Sequence, residues 1–177
     1  MGERRTLIEP ATAEGGRVAQ EHFDHIRRVN DIFYDQVKLS DQKAAYIFTF
    51  MLALLVTSTE SRAVFTAARY AEGSLPVAFF SGLLAFALVF SVVSAILVVL
   101  PRRVDNATSL FWGAWPHRRE AFRKAAAERD VDYLFEQYMQ NADAMATIAQ
   151  EKYRFVGFAF RGLLLTVVAY VGLLAVR

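Results

Sequence analysis

Residues Val77 to Leu100, VAFFSGLLAFALVFSVVSAILVVL, contain no charged side chain. The run is long enough for an α-helix to cross the hydrocarbon core of a bilayer, which requires about 20 apolar residues. Pro76 precedes the run and Pro101 follows it, and proline favours the first turn of a helix and the positions just beyond its end. The sequence therefore predicts a transmembrane helix here and places the chain among integral membrane proteins.

Two further apolar segments lie on either side of this run. The first, Ala44 to Ser58, is short for a span, and we expect its helix to continue past Glu60 to Ala68. The second, Phe155 to Val176, is apolar except for Arg161. That arginine would reach back to the lipid headgroups or, alternatively, would line a pore or gate. Three transmembrane helices are predicted in all.

The second predicted span also carries a row of small residues at four-residue spacing, Ala87, Ser91 and Ala95. Such a row lets another helix approach closely. The pattern does not say whether the neighbour belongs to the same subunit or to another.

The amino-acid composition limits the kinds of partner and functional site that the chain can have. The chain has 177 residues, 55% of them hydrophobic, a formal net charge of +2 and no cysteine. The small net charge does not favour a nucleic-acid partner, and disulfides and thiolate sites are excluded. No catalytic motif is present, and His22 and His25 on one helix face are more typical of a solvated surface than of a metal site. We expect no catalytic residue, no metal and no cofactor.

Lysine and arginine are distributed unevenly around the spans. Residues 1–43 contain seven, residues 101–154 contain nine, and residues 59–76 contain two. Since cytoplasmic flanks carry the excess of these residues, the amino terminus is predicted to be cytoplasmic and the carboxyl terminus to lie outside. Residues 101–154 then form the larger cytoplasmic segment.

The remaining segments complete a predicted domain plan for an all-α membrane protein. Residues 1–16 are expected to be a disordered tail. Residues 17–43 are expected to be an amphipathic helix, with Ser40 and Asp41 starting a separate membrane helix as N-cap and first turn. Residues 44–100 hold two spans and a short outer loop. Residues 101–154 form a helical region with a short basic helix, His117 to Glu128, and residues 155–177 form the third span.

The segment before the third span carries a repeat that alternates steps of four and three. Its members are Val131, Phe135, Tyr138, Ala142, Met145, Ala149 and Lys152. This period is typical of a helix that packs along another helix. Because no proline or glycine interrupts the segment before Gly157, we predict one helix from about Val131 through the third span, with a long cytoplasmic stalk.

Three short motifs in a fixed order relative to these spans carry a family resemblance. They are Ser40-Asp41-Gln42-Lys43-Ala44 before the first span, Ser109-Leu110-Phe111-Trp112 after the second, and Ala149-Gln150-Glu151-Lys152-Tyr153 before the third. In this layout, from about residue 20 to 177, the chain resembles the transmembrane effectors of Pycsar anti-phage systems. The Asn-Gly that the family often has in its first span is replaced here by residues near Thr49-Phe50.

The resemblance implies a function. A neighbouring pyrimidine cyclase would make cyclic UMP or cyclic CMP on infection, and the effector, a homo-oligomer in the bacterial inner membrane, would respond by impairing that membrane so that the cell dies. A cyclic nucleotide requires a cation for its phosphodiester and an aromatic or apolar wall for its base. The candidate ligand-binding residues are Asp41, Lys43, Arg102, Arg103, Phe111, Trp112, Lys152, Tyr153 and Arg154, and the candidate for pore or gate is Arg161.

Two alternatives stay open at the level of the residues. Asp41 and Lys43 would form a structural ion pair at the membrane surface, and most of the cations would contact anionic lipid. The chain as a whole would be a constitutive membrane scaffold or small channel subunit that binds a protein partner through its cytoplasmic helices. That reading predicts apolar residues left exposed on residues 17–38 or 131–152 and no affinity for nucleotides.

Overall fold

The computed structural model describes the backbone of residues 9–102, 108–111 and 113–176, and the side chains from residue 16 onward within these ranges. These residues form helices and connecting turns without a strand. The helices are α1 Glu9–Thr57, α2 Thr59–Ala63, α3 Ala68–Ala71, α4 Leu75–Val99, α5 Trp115–Glu128 and α6 Val131–Ala175. The all-α class is confirmed.

Among the described residues, three helices are long and apolar enough to cross a membrane, and they contain the three predicted spans. The second span, α4, differs from its prediction by only two residues at its start and one at its end. The helix α6 confirms the prediction of one uninterrupted helix from Val131 through the third span. At 1.5 Å per residue it is about 68 Å long.

The first long helix corrects three expectations. It runs without a break through Ser40, whose hydroxyl donates to the Val37 carbonyl at 2.6 Å and does not cap a new helix. It ends at Thr57, because Ser58 is extended and its hydroxyl accepts the Ser61 N–H, capping α2. It begins at Glu9, so residues 9–16 are helical where a disordered tail was expected, and residues 1–8 lie outside the described residues.

A single heptad pattern explains why α1 is continuous. Ten of its buried and half-buried residues alternate steps of three and four: Phe23, Ile26, Asn30, Phe33, Val37, Ser40, Ala44, Ile47, Met51 and Leu54. The buried stripe of the amphipathic segment therefore continues in register into the buried stripe of the membrane segment. A single uninterrupted helix places both on the same face. Val18, near the start of the amphipathic segment, lies outside this stripe and is 43% exposed.

The chain divides into two compact units. One contains the described residues of Met1–Asp35 and Arg103–Thr147, and it includes a buried polar contact between α1 and α6. The amide nitrogen of Asn30 donates to the Tyr138 carbonyl at 2.9 Å, and the Asn141 amide donates to the Asn30 side-chain oxygen at 2.6 Å. Phe23 meets the edge of Tyr138 with 5.4 Å between the ring centroids.

The other unit, Gln36–Arg102 with Ile148–Arg177, contains the spans and an apolar core. The row Ala87, Ser91 and Ala95 is buried, and the Ser91 hydroxyl donates to the Ala159 carbonyl at 2.9 Å. A Cβ added to Gly162 would lie 2.7 Å from the Ser91 Cβ. The predicted close helix approach is therefore made within one subunit, between α4 and α6.

The connection between the first two spans, in the same unit, is held by a partly buried ion pair. Arg69 donates to the Glu60 carboxylate at 2.8 Å and to the Ser81 hydroxyl on α4 at 3.2 Å. The Tyr70 hydroxyl donates to the Val64 carbonyl at 2.6 Å. These contacts tie the short helices α2 and α3 to the second span.

Candidate ligand site at the start of the third span

Seven of the ten residues predicted to have a functional role lie in the spanning unit, and six of them lie near the start of the third span, whereas Arg161 lies further along it. These six are Asp41, Lys43, Arg102, Lys152, Tyr153 and Arg154. Phe111 belongs to the other unit, and Arg103 and Trp112 lie outside the described residues. We refer to Lys43, Arg102, Lys152 and Arg154 as the cationic cluster.

The most buried member of the cationic cluster is Lys152. Its side chain is 7% exposed, and its ammonium donates to the Asp41 carboxylate at 2.5 Å. Lys152 lies on the buried stripe of α6, between Ala149 and Val156. The core repeat of this helix therefore contains a charge at the point where the apolar span begins, and that charge depends on Asp41 because a buried ammonium without a partner is costly.

Asp41 therefore pairs with Lys152 and not with Lys43, which corrects the expected surface ion pair. The Lys43 ammonium lies over the Tyr153 ring, 5.1 Å from its centroid. No carboxylate lies within ion-pair distance of Lys43 among the described residues. Its charge is thus held against an aromatic face and remains open to an added anion.

Tyr153 is positioned by a residue that the sequence reading missed. Its hydroxyl donates to the side-chain oxygen of Gln36 at 2.6 Å. Gln36 is half-buried and lies one residue before Val37, a member of the buried stripe of α1. The position of Gln36 next to the buried stripe of α1 could have indicated this contact, because residues beside the stripe lie close to the helix against which the stripe packs.

Arg102 approaches the same part of α6 from the end of α4. Its guanidinium pairs with the Glu151 carboxylate at 2.8 Å and lies 5.4 Å from the centroid of the Phe155 ring. Its Nε is buried and has no hydrogen-bond partner within the described structure. The contact of Arg102 with Glu151 was not predicted from the sequence, although Glu151 belongs to the motif that precedes the third span.

Arg154 completes the cationic cluster. It is exposed, and its guanidinium lies 5.6 Å from the centroid of the Phe155 ring. Arg102 and Arg154 thus both contact one phenylalanine. Against the four cations stand two carboxylates, Asp41 and Glu151, so the formal charge here is four minus two, or +2.

This arrangement is suited to anion recognition. Partly buried cations next to aromatic faces bind phosphate groups more strongly than solvated surface lysines do, because less water competes for the charge. Within the described ranges, no three His, Cys, Asp or Glu side chains are grouped so that they would hold a metal ion.

Phe111 lies in a short turn of the other unit. Its N–H donates to the Thr108 carbonyl at 3.1 Å. The turn is attached to α6 by two side chains: the Ser109 N–H donates to Gln137 at 2.8 Å, and the Thr108 hydroxyl donates to Asn141 at 3.2 Å. Phe111 is therefore part of a turn in the unit that does not contain the cationic cluster.

Arg161 lies on an exposed face of the third span, seven residues beyond Arg154. Its guanidinium is 5.9 Å from the centroid of the Phe158 ring. No acidic residue occurs in the apolar runs 44–58, 77–100 and 155–176. The exposed position is compatible with either expectation for this residue, contact with headgroups or a place along a pore.

The three apolar helices of the described residues define the class, an α-helical membrane protein. Residues 25–177 match the family model described as the Pycsar effector protein domain. The chain therefore belongs to the Pycsar effector family and has the anti-phage effector role of that family. No curated protein and no solved structure matches the chain closely enough to count as similar.

Proposed function

We propose that the protein is a non-enzymatic effector that binds cyclic UMP or cyclic CMP at the cationic cluster and then impairs the bacterial inner membrane, causing abortive infection. The observation that carries the proposal is the convergence of four cations and Tyr153 at the start of a membrane span. The amino terminus and the helical module face the cytoplasm, where a neighbouring cyclase would release the nucleotide, and the carboxyl terminus lies outside.

The open cations would receive the phosphodiester. Lys43 and Arg154 are exposed, and neither has a carboxylate partner in the described part of the chain. The pyrimidine would stack on the Tyr153 ring, which now carries the Lys43 ammonium. Stacking on an aromatic face together with a charge-assisted contact is the usual combination for nucleotide ligands.

The response of the membrane requires that the nucleotide prefer one arrangement of the helices. A phosphodiester near Lys152 would compete with Asp41 for its ammonium, and this ion pair joins α1 to α6. Because α6 continues from Lys152 into the span without interruption, a shift of α6 at the pair would move the span as well. In a homo-oligomer such shifts would open the bilayer.

Thermal stability of the detergent-solubilised full chain tests nucleotide binding, since a ligand that prefers the folded state raises the midpoint. We expect a rise with cyclic UMP or cyclic CMP and none with cyclic AMP or cyclic GMP. The rise should be lost in Lys43→Gln and Arg154→Gln and kept in Lys124→Gln, a matched control in the other unit whose side chain is 75% exposed. No rise with any of the four nucleotides would overturn the proposal.

Impairment of the membrane has its own test in cells. Expression together with a pyrimidine cyclase should admit a membrane-impermeant dye in the wild type and not in Lys43→Gln. Lys152→Ala, Arg154→Ala and Asp41→Ala should each weaken the response. Wild-type toxicity in all of these variants would exclude the cationic cluster as the sensor.

A second candidate function is a scaffold or small channel subunit that binds a protein partner. It is favoured by apolar side chains exposed on α1 and α6, including Ile32 at 48%, Tyr34 at 61% and Val131 at 64%. In the effector proposal these side chains serve contacts between subunits. If Ile32→Glu lowers the oligomer mass measured by light scattering, subunit contact is supported; an unchanged mass together with no nucleotide response favours the scaffold.

A further inference from the structure

An apolar groove of about 490 Å³ lies between α1 and the end of α4, wholly inside the spanning unit. Its volume falls in the range of ligand pockets, roughly 300–1,000 Å³. On the α1 side it is lined by Ala44, Ala45 and Phe48, and on the α4 side by residues that include Ala95, Leu100 and Pro101. The groove is separate from the aromatic contacts of Tyr153.

Small side chains create the groove. Alanines at positions 44, 45 and 95 remove volume where leucine or phenylalanine would fill the space between two helices. Pro101 follows the end of α4, and Leu100 has already left the helical conformation with ψ 132°. The two helices therefore enclose a slot with apolar walls at the level where the first two spans begin and end.

Each wall of the groove has a cationic residue next to it in the sequence. Lys43 directly precedes Ala44, and Arg102 directly follows Pro101. Lys43 has no carboxylate within ion-pair distance in the described ranges, and the Arg102 side chain stays 25% exposed beside its partner Glu151. An apolar slot whose walls are each next in sequence to a partly or fully exposed cation matches an amphiphile that has an apolar chain and an anionic head.

We propose that this groove binds an anionic phospholipid, with an acyl chain between α1 and α4 and the phosphate near the Lys43 ammonium and the partly exposed Arg102 guanidinium. A lipid is the fitting occupant because the groove lies between membrane spans and has apolar walls, which a free phosphate or a cyclic nucleotide cannot use. A zwitterionic choline lipid fits less well, because its headgroup brings a cation toward Lys43. Lys43 is shared with the proposed nucleotide site, so the test below uses lipid in the absence of nucleotide, and the groove variants separate the two proposals.

The test is a lipid titration of the full chain in a neutral detergent, following its thermal midpoint with dioleoyl phosphatidylglycerol and with dioleoyl phosphatidylcholine. We expect phosphatidylglycerol to act at a concentration roughly 25-fold lower, from about fivefold for each of two cations near an anionic headgroup. Ala45→Trp fills the groove and should abolish this difference. Ala53→Trp is the matched control, because Ala53 is exposed on the same helix and does not line the groove.

Two further variants test the headgroup contacts. Lys43→Gln and Arg102→Gln should each reduce the preference for phosphatidylglycerol about fivefold, because each removes one of the two charges near the headgroup. Each variant is compared with its own lipid-free midpoint, so a loss of basal stability does not imitate a loss of binding. Equal action of the two lipids, or an unchanged preference in Ala45→Trp, would overturn the proposal.

Discussion

Replacing Asp41 by alanine removes the carboxylate partner of a buried ammonium. Lys152 is 7% exposed, so without Asp41 its charge would remain in a site that water hardly reaches. Breaking a fully buried pair from one side costs about 3–5 kcal/mol. Asp41 itself is 37% exposed, which reduces the estimate to about 2–3 kcal/mol. Alanine is a better helix former than aspartate by about 0.6 kcal/mol, which leaves a net loss of roughly 1.5–2.5 kcal/mol.

The opposite replacement, Lys152→Met, should be far milder. It leaves Asp41, which is partly exposed and stays hydrated, and it places an apolar side chain at a position of the buried stripe. Exchange of a buried charge for a hydrophobic residue of similar volume is often neutral or stabilising, so we expect a change within about 1 kcal/mol of wild type. The double variant, which combines Asp41→Ala with Lys152→Met, should be much more stable than Asp41→Ala alone, since the two residues are coupled.

The assay is thermal unfolding of the full chain in detergent, followed by circular dichroism without added nucleotide. For a chain of this size, 1 kcal/mol corresponds to about 2–4 °C, so Asp41→Ala should lower the midpoint by roughly 3–10 °C and Lys152→Met by less than about 4 °C. If Lys152→Met is at least as destabilising as Asp41→Ala, or if the double variant shows the sum of the two losses, the stability loss does not come from an unpaired Lys152 ammonium.

Two other perturbations test the helix contacts. Gly162→Ala should destabilise the spans by about 1–3 kcal/mol, because its Cβ would lie 2.7 Å from the Ser91 Cβ. Gly157→Ala, with nothing within 4 Å of the added Cβ, should instead stabilise the same helix by up to about 1 kcal/mol; thermal midpoints in detergent compare the two, and equal effects would contradict the packing argument. Asn30→Leu should cost about 1–3 kcal/mol by leaving the Asn141 amide without its acceptor. In the double variant with Asn141→Leu the loss should be smaller than the sum of the two single losses, although the Thr108 hydroxyl also loses its acceptor; chemical unfolding that shows two additive losses would count against a coupled pair.

The three spans and the continuity of α6 could be predicted from the sequence because each rests on a local property. An uncharged run such as Val77 to Leu100 has few options other than a membrane helix. The helical repeat that ends at Lys152 required only the absence of a breaker before Gly157. The break expected at Ser40 was wrong for a related reason: a good capping residue was given more weight than the single heptad phase that joins both parts of α1.

The partners inside the candidate site required the tertiary structure. Asp41 and Lys152 are 111 positions apart, and Asp41 had a nearer candidate in Lys43. Which residue of α6 faces Asp41 depends on the register of two parallel helices, and register is determined by the packing of the whole stripe. The contact of Gln36 with Tyr153 and the groove beside Ala45 have the same origin.

The sequence by itself determined the membrane class, the number of spans and the residue types available for an anion, because hydropathy and charge act over neighbouring positions. The tertiary structure decided which cations are open and which are engaged: Lys152 is satisfied by Asp41, whereas Lys43 rests on an aromatic ring. That distinction depends on contacts between helices distant in the chain, which no local pattern contains.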